Sequence, residues 1–170
     1  VLTEGELRAL WQGADAIIAG NEKYPASLLE EAPAELKVIS KHGVGIDNID
    51  RDAAARKGIS VQNVPGANAD AVADMTLGLI LCALRDIALT DRMIRERQWR
   101  RFEGHVSQGK ILGILGMGNI GKGVVRRAEG FGMSIMAHDP YFDEAFAAAH
   151  GVRRASVEEI LREADIVSLH

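Results

Sequence analysis

The sequence predicts an α/β protein whose strands run parallel, and two observations carry this prediction. Short apolar runs alternate with helical patterns along the chain, which favours parallel pairing through right-handed crossovers. One apolar run, at 111–115, ends in three glycines spaced G-x-G-x-x-G, and a helical pattern follows them. With 170 residues and 47% hydrophobic composition, the chain can form one domain or two small ones.

Composition and charge argue against several classes of partner. The chain has 20 basic and 24 acidic residues, and the arginine-rich stretch at 92–101 is interleaved with acids, which is typical of a solvated helix face and not of a nucleic-acid site. The apolar run at 77–84 is too short to span a membrane, and no signal peptide is visible. The single cysteine, Cys82, lies in an apolar helical pattern, and no cluster of metal ligands appears. We therefore expect a cytoplasmic protein that binds no nucleic acid, membrane or metal.

The first 68 residues read as a partial α/β domain. Thr3 is predicted to cap a helix that reaches Trp11, because Glu6 follows at the spacing of a capping box. Asp50 is predicted to cap another helix, which Gly58 ends. The remaining predicted elements are a helix at 25–31 and strands at 16–19, 36–40 and 59–64.

A long helix is predicted from about 70 to 98, and it would connect two domains. At 1.5 Å per residue it would reach roughly 40 Å. Its length also suggests a subunit interface, and hence a homodimer formed through residues 70–98. Its predicted buried face consists of Val72, Met75, Leu79, Leu81, Leu84 and Ile87.

Residues 69–170 read as a second partial domain, with a Rossmann-type doubly wound parallel sheet. Strands are predicted at 111–115, 134–137 and 166–169, in the order 3-2-1, with helices between them, and Phe131 is expected to pack inward with Val124, Val125 and Ala128. In that order the strand at 111 would be a bare hydrophobic edge, which is an aggregation hazard. We therefore expect the chain to be part of a longer protein.

The glycine stretch has the features of a dinucleotide site. Gly116 permits the turn from strand to helix, Gly118 lets a diphosphate approach the backbone, and Gly121 lets the helix pack on the strand. Asp139 follows Gly121 by 18 residues, at the end of the next strand, where an acid binds both ribose hydroxyls and repels a 2′-phosphate. This favours NAD over NADP. A glycine turn in another kind of α/β protein is the alternative interpretation.

Several stretches together resemble the D-isomer-specific 2-hydroxyacid dehydrogenases, and most closely their 3-phosphoglycerate dehydrogenase branch. The matching stretches are KHGVGIDNID at 41–50, ARKGISVQNVPGANADAVADMTLGLILCALR at 55–85, GKILGILGMGNIG at 109–121, HDPY at 138–141 and DIVSLH at 165–170. The resemblance implies a flavodoxin-like substrate domain, partial here at 1–68, and an NAD domain, partial here at 69–170, with the active site between them. It implies transfer of a hydride between nicotinamide and a small 2-hydroxy or 2-oxo acid, 3-phosphoglycerate-like or glycerate/glyoxylate-like.

The same resemblance assigns the site residues. Gly43, Val44 and Gly45 match a loop whose N–H groups hold the substrate carboxylate, which suits an anion-binding glycine turn. Lys41 stands where close relatives carry an arginine near the substrate, and the adjacent His42 is more simply structural. The residues that match cofactor contacts are Val64, Thr76, Gly116, Met117, Gly118, Asn119, Ile120, Gly121, Asp139 and His170.

No catalytic residue is assigned within this span. The family uses an arginine, a glutamate and a histidine for the chemistry of the carbonyl, and all three are expected beyond His170. His170 itself matches a cofactor-side histidine.

Two other functions are compatible with the sequence. One is an NAD-sensing, corepressor-like binding scaffold of the same superfamily, with which the VAD-x-T pattern at 72–76 agrees. The other is a different Rossmann protein, such as a relative of adenosylhomocysteine hydrolase or alanine dehydrogenase. Such a relative would not be expected to carry GVGIDNID and NVPGAN in this register.

Overall fold

Parallel pairing is confirmed for every strand pair in residues 2–170, the part of the chain that the computed structural model describes. The strands form two separate sheets. The chain accordingly divides into a first unit that ends at Asn68 and a second unit that begins at Ala69.

The first unit is a three-stranded sheet with short helices. Its strands, in the spatial order β1-β2-β3, are β1 (Ala16–Ala19), β2 (Val38–Lys41) and β3 (Ser60–Gln62). Its helices are α1 (Glu4–Leu10), α2 (Ala26–Glu30) and α3 (Arg51–Arg56). Both predicted caps are confirmed: Thr3 and Glu6 form a capping box, and Asp50 accepts the N–H of Ala53 at 2.9 Å.

Strand β3 ends before the predicted residue 64 because its last residues bond elsewhere. The N–H of Val64 donates to the carbonyl oxygen of Gly43 at 3.2 Å. The side-chain amide of Asn63 donates to the carbonyl oxygen of Val44 at 2.6 Å. Residues 63 and 64 therefore fix the loop that follows β2 instead of extending the sheet.

The second unit has a four-stranded sheet in which the predicted strand order is wrong. Its strands are β4 (Ile111–Leu115), β5 (Ser134–His138), β6 (Arg153–Arg154) and β7 (Ile166–Leu169), in the spatial order β6-β5-β4-β7. Strand β6 has no sequence signal, because two arginines show no apolar pattern. Strand β6 lies beside β5, at the edge where the strand at 166–169 was expected. That strand, β7, instead pairs with the other side of β4. Strand β4 is therefore central, not a bare edge, and the exposed apolar residues lie on β7, at Val167 and Leu169.

The predicted long helix is two helices, because the backbone turns left-handed between them. The helices of this unit are α4 (Ala69–Leu84), α5 (Ile87–Arg95), α6 (Asn119–Glu129), α7 (Glu144–Ala149) and α8 (Val157–Glu163). Asp86, between α4 and α5, has φ of 51°, which a continuing helix cannot accommodate. The N–H of His105 donates to the carbonyl oxygen of Leu84 at 2.8 Å and so satisfies a group at the end of α4.

The predicted buried face of α4 is wrong in part, although Val72, Leu81 and Leu84 are half-buried. The buried residues are Ala73, Leu77 and Ile80, whereas Met75 and Leu79 are each 63% exposed. Helix α4 packs on α6 where both present small side chains: a Cβ on Gly123 would lie 3.0 Å from that of Ala73.

Two further packing details complete this unit. Phe131, expected to be buried, is 40% exposed, because the chain turns away from the core after α6. Gly113, in the middle of β4, lies directly under α8, where a Cβ would overlap the side chain of Ile160. The missing side chain lets α8 rest on the strand backbone.

Candidate cofactor-binding site

Three strand ends in the second unit meet at one edge of its sheet. Strand β4 ends in the glycine loop, β5 ends at His138 before Asp139, and β7 ends before His170. The order of the strands reverses at β4, because β5 and β6 lie on one side of it and β7 lies on the other, which makes this edge a topological switch point. Ligands of open parallel sheets bind at such points.

The three glycines of the loop have three different surroundings. Gly116 has φ of 105°, and a Cβ there would overlap the carbonyl oxygen of His170. A Cβ on Gly121 would overlap the carbonyl oxygen of Gly116, so α6 starts against the turn itself. At Gly118 a Cβ would meet nothing within 4 Å. The first and third glycines therefore serve the fold, and the second leaves open space for a ligand.

The start of α6 offers N–H groups to that space. Gly118 occupies the N-cap position and has no side chain with which to cap the helix. Within residues 2–170, the N–H groups of Gly118, Asn119, Ile120 and Gly121 have no acceptor. Free N–H groups at a helix N-terminus, with the helix dipole behind them, bind phosphate groups.

Asp139 lies beside the loop as an ionised carboxylate. Its Oδ2 accepts the N–H of Met117 at 2.7 Å, and its Oδ1 accepts the N–H of Tyr141 at 2.7 Å. These backbone bonds, that of Met117 first, hold the pKa of Asp139 below its usual value of 3.8. A carboxylate oxygen has two lone pairs, so both oxygens can still accept a ribose hydroxyl.

A second acid, Asp143, is paired near the first turn of α6. Its Oδ2 lies 2.5 Å from Nζ of Lys122, and its Oδ1 accepts the N–H of Phe146 as the cap of α7. The ion pair with Lys122 is the main reason that the pKa of Asp143 is lowered. Lys122 thus joins α6 to the start of α7.

Thr76 and His170 line one cavity of about 600 Å³ between α4 and β7. The hydroxyl of Thr76 donates to the carbonyl oxygen of Val72 at 2.8 Å. The ring of His170 lies 2.9 Å from the hydroxyl of Ser168, and partial burial lowers its pKa from the usual 6.5. At neutral pH the ring is therefore mainly uncharged.

The predicted substrate residues lie in the first unit: Lys41 is the last residue of β2, and Gly43, Val44 and Gly45 lie in the loop after it. Gly43 has φ of 139°, and its carbonyl group and that of Val44 are held by Val64 and Asn63. Gly45 is exposed, and a Cβ there would lie 3.1 Å from a carboxylate oxygen of Asp47. The loop is thus fixed in shape and brings Val64 next to Gly43.

Lys41 and His42 have different surroundings although they are neighbours. Lys41 is 5% exposed, and its Nζ donates to the carbonyl oxygen of Gly20 and to Oδ1 of Asn21. His42 is exposed, and its backbone N–H donates to the carbonyl oxygen of Ala19. The ammonium group of Lys41 therefore braces the loop after β1.

Sequence reasoning missed the bond between Asp139 and Met117 and the pair of Lys122 with Asp143. The first has no sequence signal, because any residue can supply a backbone N–H. The second had a weak one, since Asp143 was recognisable as a helix cap and Lys122 follows the last glycine of the loop directly. No group of histidine, cysteine or acidic residues in the described part of the chain could hold a metal ion. Nor is any helix between residues 2 and 170 long and apolar enough to cross a membrane.

A parallel sheet, an open glycine turn at a helix N-terminus and an acid after the neighbouring strand define a dinucleotide-binding α/β protein. Comparison with known families goes further. The model for the NAD binding domain of D-isomer specific 2-hydroxyacid dehydrogenases matches residues 77–170, more than half of the chain. The chain belongs to this family, and its second unit carries the NAD-binding domain.

Individual relatives agree with the family. The chain is 40% identical to D-3-phosphoglycerate dehydrogenase of Methanocaldococcus jannaschii, over 99% of this chain and 33% of that protein. The apo-structure of D-lactate dehydrogenase from Escherichia coli matches with a TM-score of 0.88 and 31% identity, over 100% of this chain and 54% of the other. A glyoxylate reductase from Paecilomyes thermophila matches with a TM-score of 0.85 and 35% identity, over 97% and 53%. The chain thus spans about a third of its curated relative and about half of the solved structures.

Proposed function

We propose that this chain is part of an NAD-dependent oxidoreductase that transfers a hydride between nicotinamide and a small D-2-hydroxy acid. The observation that carries the proposal is the open position at Gly118 in front of free N–H groups, with the ionised Asp139 beside it. The relatives are named as dehydrogenases and a reductase of hydroxy or oxo acids, which gives no support to a binding scaffold. The substrate class proposed is 3-phosphoglycerate-like or glycerate/glyoxylate-like.

The two units take different parts in this proposal. Residues 69–170 form part of the NAD domain, in which the N–H groups of 118–121 bind the diphosphate and Asp139 binds the adenosine ribose. NAD supplies or accepts the hydride when it is bound. Residues 1–68 form part of the substrate domain, in which the Gly43–Gly45 loop binds the substrate carboxylate through its N–H groups. Lys41 braces the neighbouring loop after β1. Val64, Thr76 and His170 complete the cofactor-binding set, and no residue of this span is assigned proton transfer.

The cofactor preference tests the proposal. The chain should bind NAD more tightly than NADP, because the ionised Asp139 repels a 2′-phosphate. Asp139→Ala should weaken the binding of NAD by about tenfold, which is the contribution of one or two hydrogen bonds to a charged group. The difference in affinity between NAD and NADP should become smaller. Isothermal titration with both cofactors measures this. Asp165→Ala, which removes another carboxylate from the same unit, should leave the NAD to NADP ratio unchanged. Tighter binding of NADP to the parent chain would contradict the proposal.

We further propose a homodimer and a cytoplasmic location, the latter supported by the kinds of enzyme that the relatives are named as. Support for the dimer comes from the exposed apolar side of α4, where Met75 and Leu79 face solvent. The occupant proposed is the same face of a second copy. Leu79→Glu should lower the mass found by sedimentation equilibrium to that of one chain. Leu161→Glu, at a residue of similar exposure on α8 (65%), should not change it. A monomeric parent chain would overturn the dimer.

A further inference from the structure

We propose that Asp139 is also a positioning residue, which holds the glycine loop in its ligand-ready shape before any cofactor arrives. This goes beyond contact with the ribose and rests on the proposed function only in taking the loop as the diphosphate site. It predicts that removing the carboxylate damages the diphosphate site even for ligands that have no ribose hydroxyls.

The bond that carries this inference joins two segments that are distant in sequence. Oδ2 of Asp139, after β5, accepts the N–H of Met117, after β4, at 2.7 Å. Oδ1 is held at the same distance by the N–H of Tyr141, so the carboxylate is fixed on both sides. A charged acceptor with two short bonds is a strong and oriented anchor.

Within residues 2–170, the two residues before Gly118 both have N–H groups that donate to other parts of the fold. The N–H of Gly116 donates to the carbonyl oxygen of His138 at 2.9 Å. The side chain of Met117 is 4% exposed within the core, and its N–H is taken by Asp139. The free N–H groups thus begin at Gly118. The peptide group between Gly116 and Met117 is fixed through its nitrogen by the carboxylate.

Without Asp139, nothing else in the described chain accepts that N–H. An unpaired donor in a nearly buried position is unfavourable, so the peptide group would turn to find water or another acceptor. Because Gly118 is next in the chain and has no side chain, its backbone would follow easily. The N–H groups at 118–121 would then no longer converge on one point.

The same two bonds keep Asp139 charged beside the anion site. Hydrogen bonds donated to the ionised form of a carboxyl group favour that form. The N–H groups of Met117 and Tyr141 are the main causes of the lowered pKa of Asp139. The carboxylate that orders the loop is therefore ionised at neutral pH before any cofactor binds.

The experiment separates positioning from ribose contact. Binding of ADP and of 2′,3′-dideoxyadenosine diphosphate is measured by titration calorimetry for the parent chain, Asp139→Ala and Asp139→Asn. Hydrogen exchange of the Met117 amide is measured by NMR on the same three chains without ligand. In Asp139→Ala the amide should exchange at least about tenfold faster, and the dideoxy ligand should bind about tenfold more weakly. Asparagine keeps an oxygen that can accept the Met117 N–H, so Asp139→Asn should recover most of both losses.

A matched control is available at the other end of β4. Asp165 accepts the N–H of Ile111 at 2.8 Å, a carboxylate-to-backbone bond like that of Asp139 but far along the strand from the loop. Asp165→Ala should leave the Met117 amide and both ligands unaffected. The inference is overturned if the dideoxy ligand binds Asp139→Ala as tightly as the parent, or if Met117 exchange does not change. If the parent chain binds neither ADP nor NAD, the proposed function fails, and the exchange measurement still decides the positioning role.

Discussion

At the scale of single residues, the three glycines of the loop are glycine for different reasons. Gly116 and Gly121 are required by backbone atoms that a Cβ would overlap. Gly118 has φ of −68° and open space around it, so the fold itself would accept a side chain there. Only a ligand gives a reason for glycine at 118.

This distinction predicts opposite outcomes for two alanine substitutions. Gly121→Ala should destabilise the chain by about 1–3 kcal/mol, as expected when atoms are forced into a packed contact. Gly118→Ala should change stability by less than about 1 kcal/mol but weaken NAD at least tenfold, because its methyl group occupies the approach to the N–H groups. Urea denaturation and NAD titration measure the two effects. Unimpaired NAD binding by Gly118→Ala would show that the diphosphate does not approach here.

The spacing of the three glycines and the position of Asp139 were predictable because each depends on residue type. Glycine alone suits the turn, and an acid alone suits both ribose hydroxyls. The bond from Asp139 to Met117 was not predictable, because the donor is a backbone group common to nearly all residues. The burial of Lys41 was also hidden, since it depends on the carbonyl group of Gly20 and the side chain of Asn21, about 20 residues earlier in the chain.

At the scale of elements, the division between α4 and α5 is determined by one residue. Asp86 adopts a left-handed conformation without a side-chain hydrogen bond to α5. Residues other than glycine adopt this region at a cost of roughly 1–2 kcal/mol. The apolar pattern continues across the break, which is why the sequence predicted one helix.

Asp86→Gly should therefore stabilise the chain, by up to about 1 kcal/mol, because glycine adopts positive φ without strain. The urea midpoint should rise. Asp91→Gly is the matched control within α5, where glycine should destabilise by about 1 kcal/mol and also remove the pair with Arg95. If both substitutions destabilise equally, the break at Asp86 is not present in solution.

Elements with strong end signals were predicted well, and elements defined by tertiary contacts were not. Thr3 and Asp50 mark helix starts through their own side chains. The two-residue strand β6 exists only because β5 lies beside it. The buried side of α4 was mispredicted because it depends on α6, where Gly123 lies against Ala73 and so turns Leu77 and Ile80 toward the core.

At the scale of the whole molecule, each unit is stabilised internally by hydrogen bonds from backbone N–H groups to carboxylates. In the second unit, the pKa of Asp139 is lowered mainly by the N–H of Met117, and the pKa of Asp165 mainly by the N–H of Ile111. The pKa of Glu159 is lowered mainly by the N–H of Ser156. In the first unit, the backbone of Thr3 does the same for Glu6. Each bond exists with the acid ionised.

These shifts predict how stability depends on pH. A carboxyl group whose pKa is lower in the folded chain stabilises it above the unfolded value, and the contribution is lost as pH falls toward the folded value. The urea midpoint should fall slightly below about pH 6.5, because His170 has a lowered pKa in the folded chain, and steeply below about pH 4.5, near the usual carboxyl values of 3.8 and 4.5. Denaturation at pH 7, 5, 4 and 3 tests this, and Asp165→Asn should show a smaller fall. A midpoint at pH 3 equal to that at pH 7 would contradict the expected linkage.

The contact between Gly113 and α8 has a consequence for how this sequence can change over time. A side chain at 113 can be accepted only if residue 160, 47 positions later, becomes smaller, because Ile160 already fills the space. Either change alone would leave a clash or a void in the centre of the sheet. Paired replacements, such as Gly113→Ala with Ile160→Ala, together with a small shift of Ala164, whose Cβ would lie 3.0 Å from the new one, are therefore the route by which this position can change.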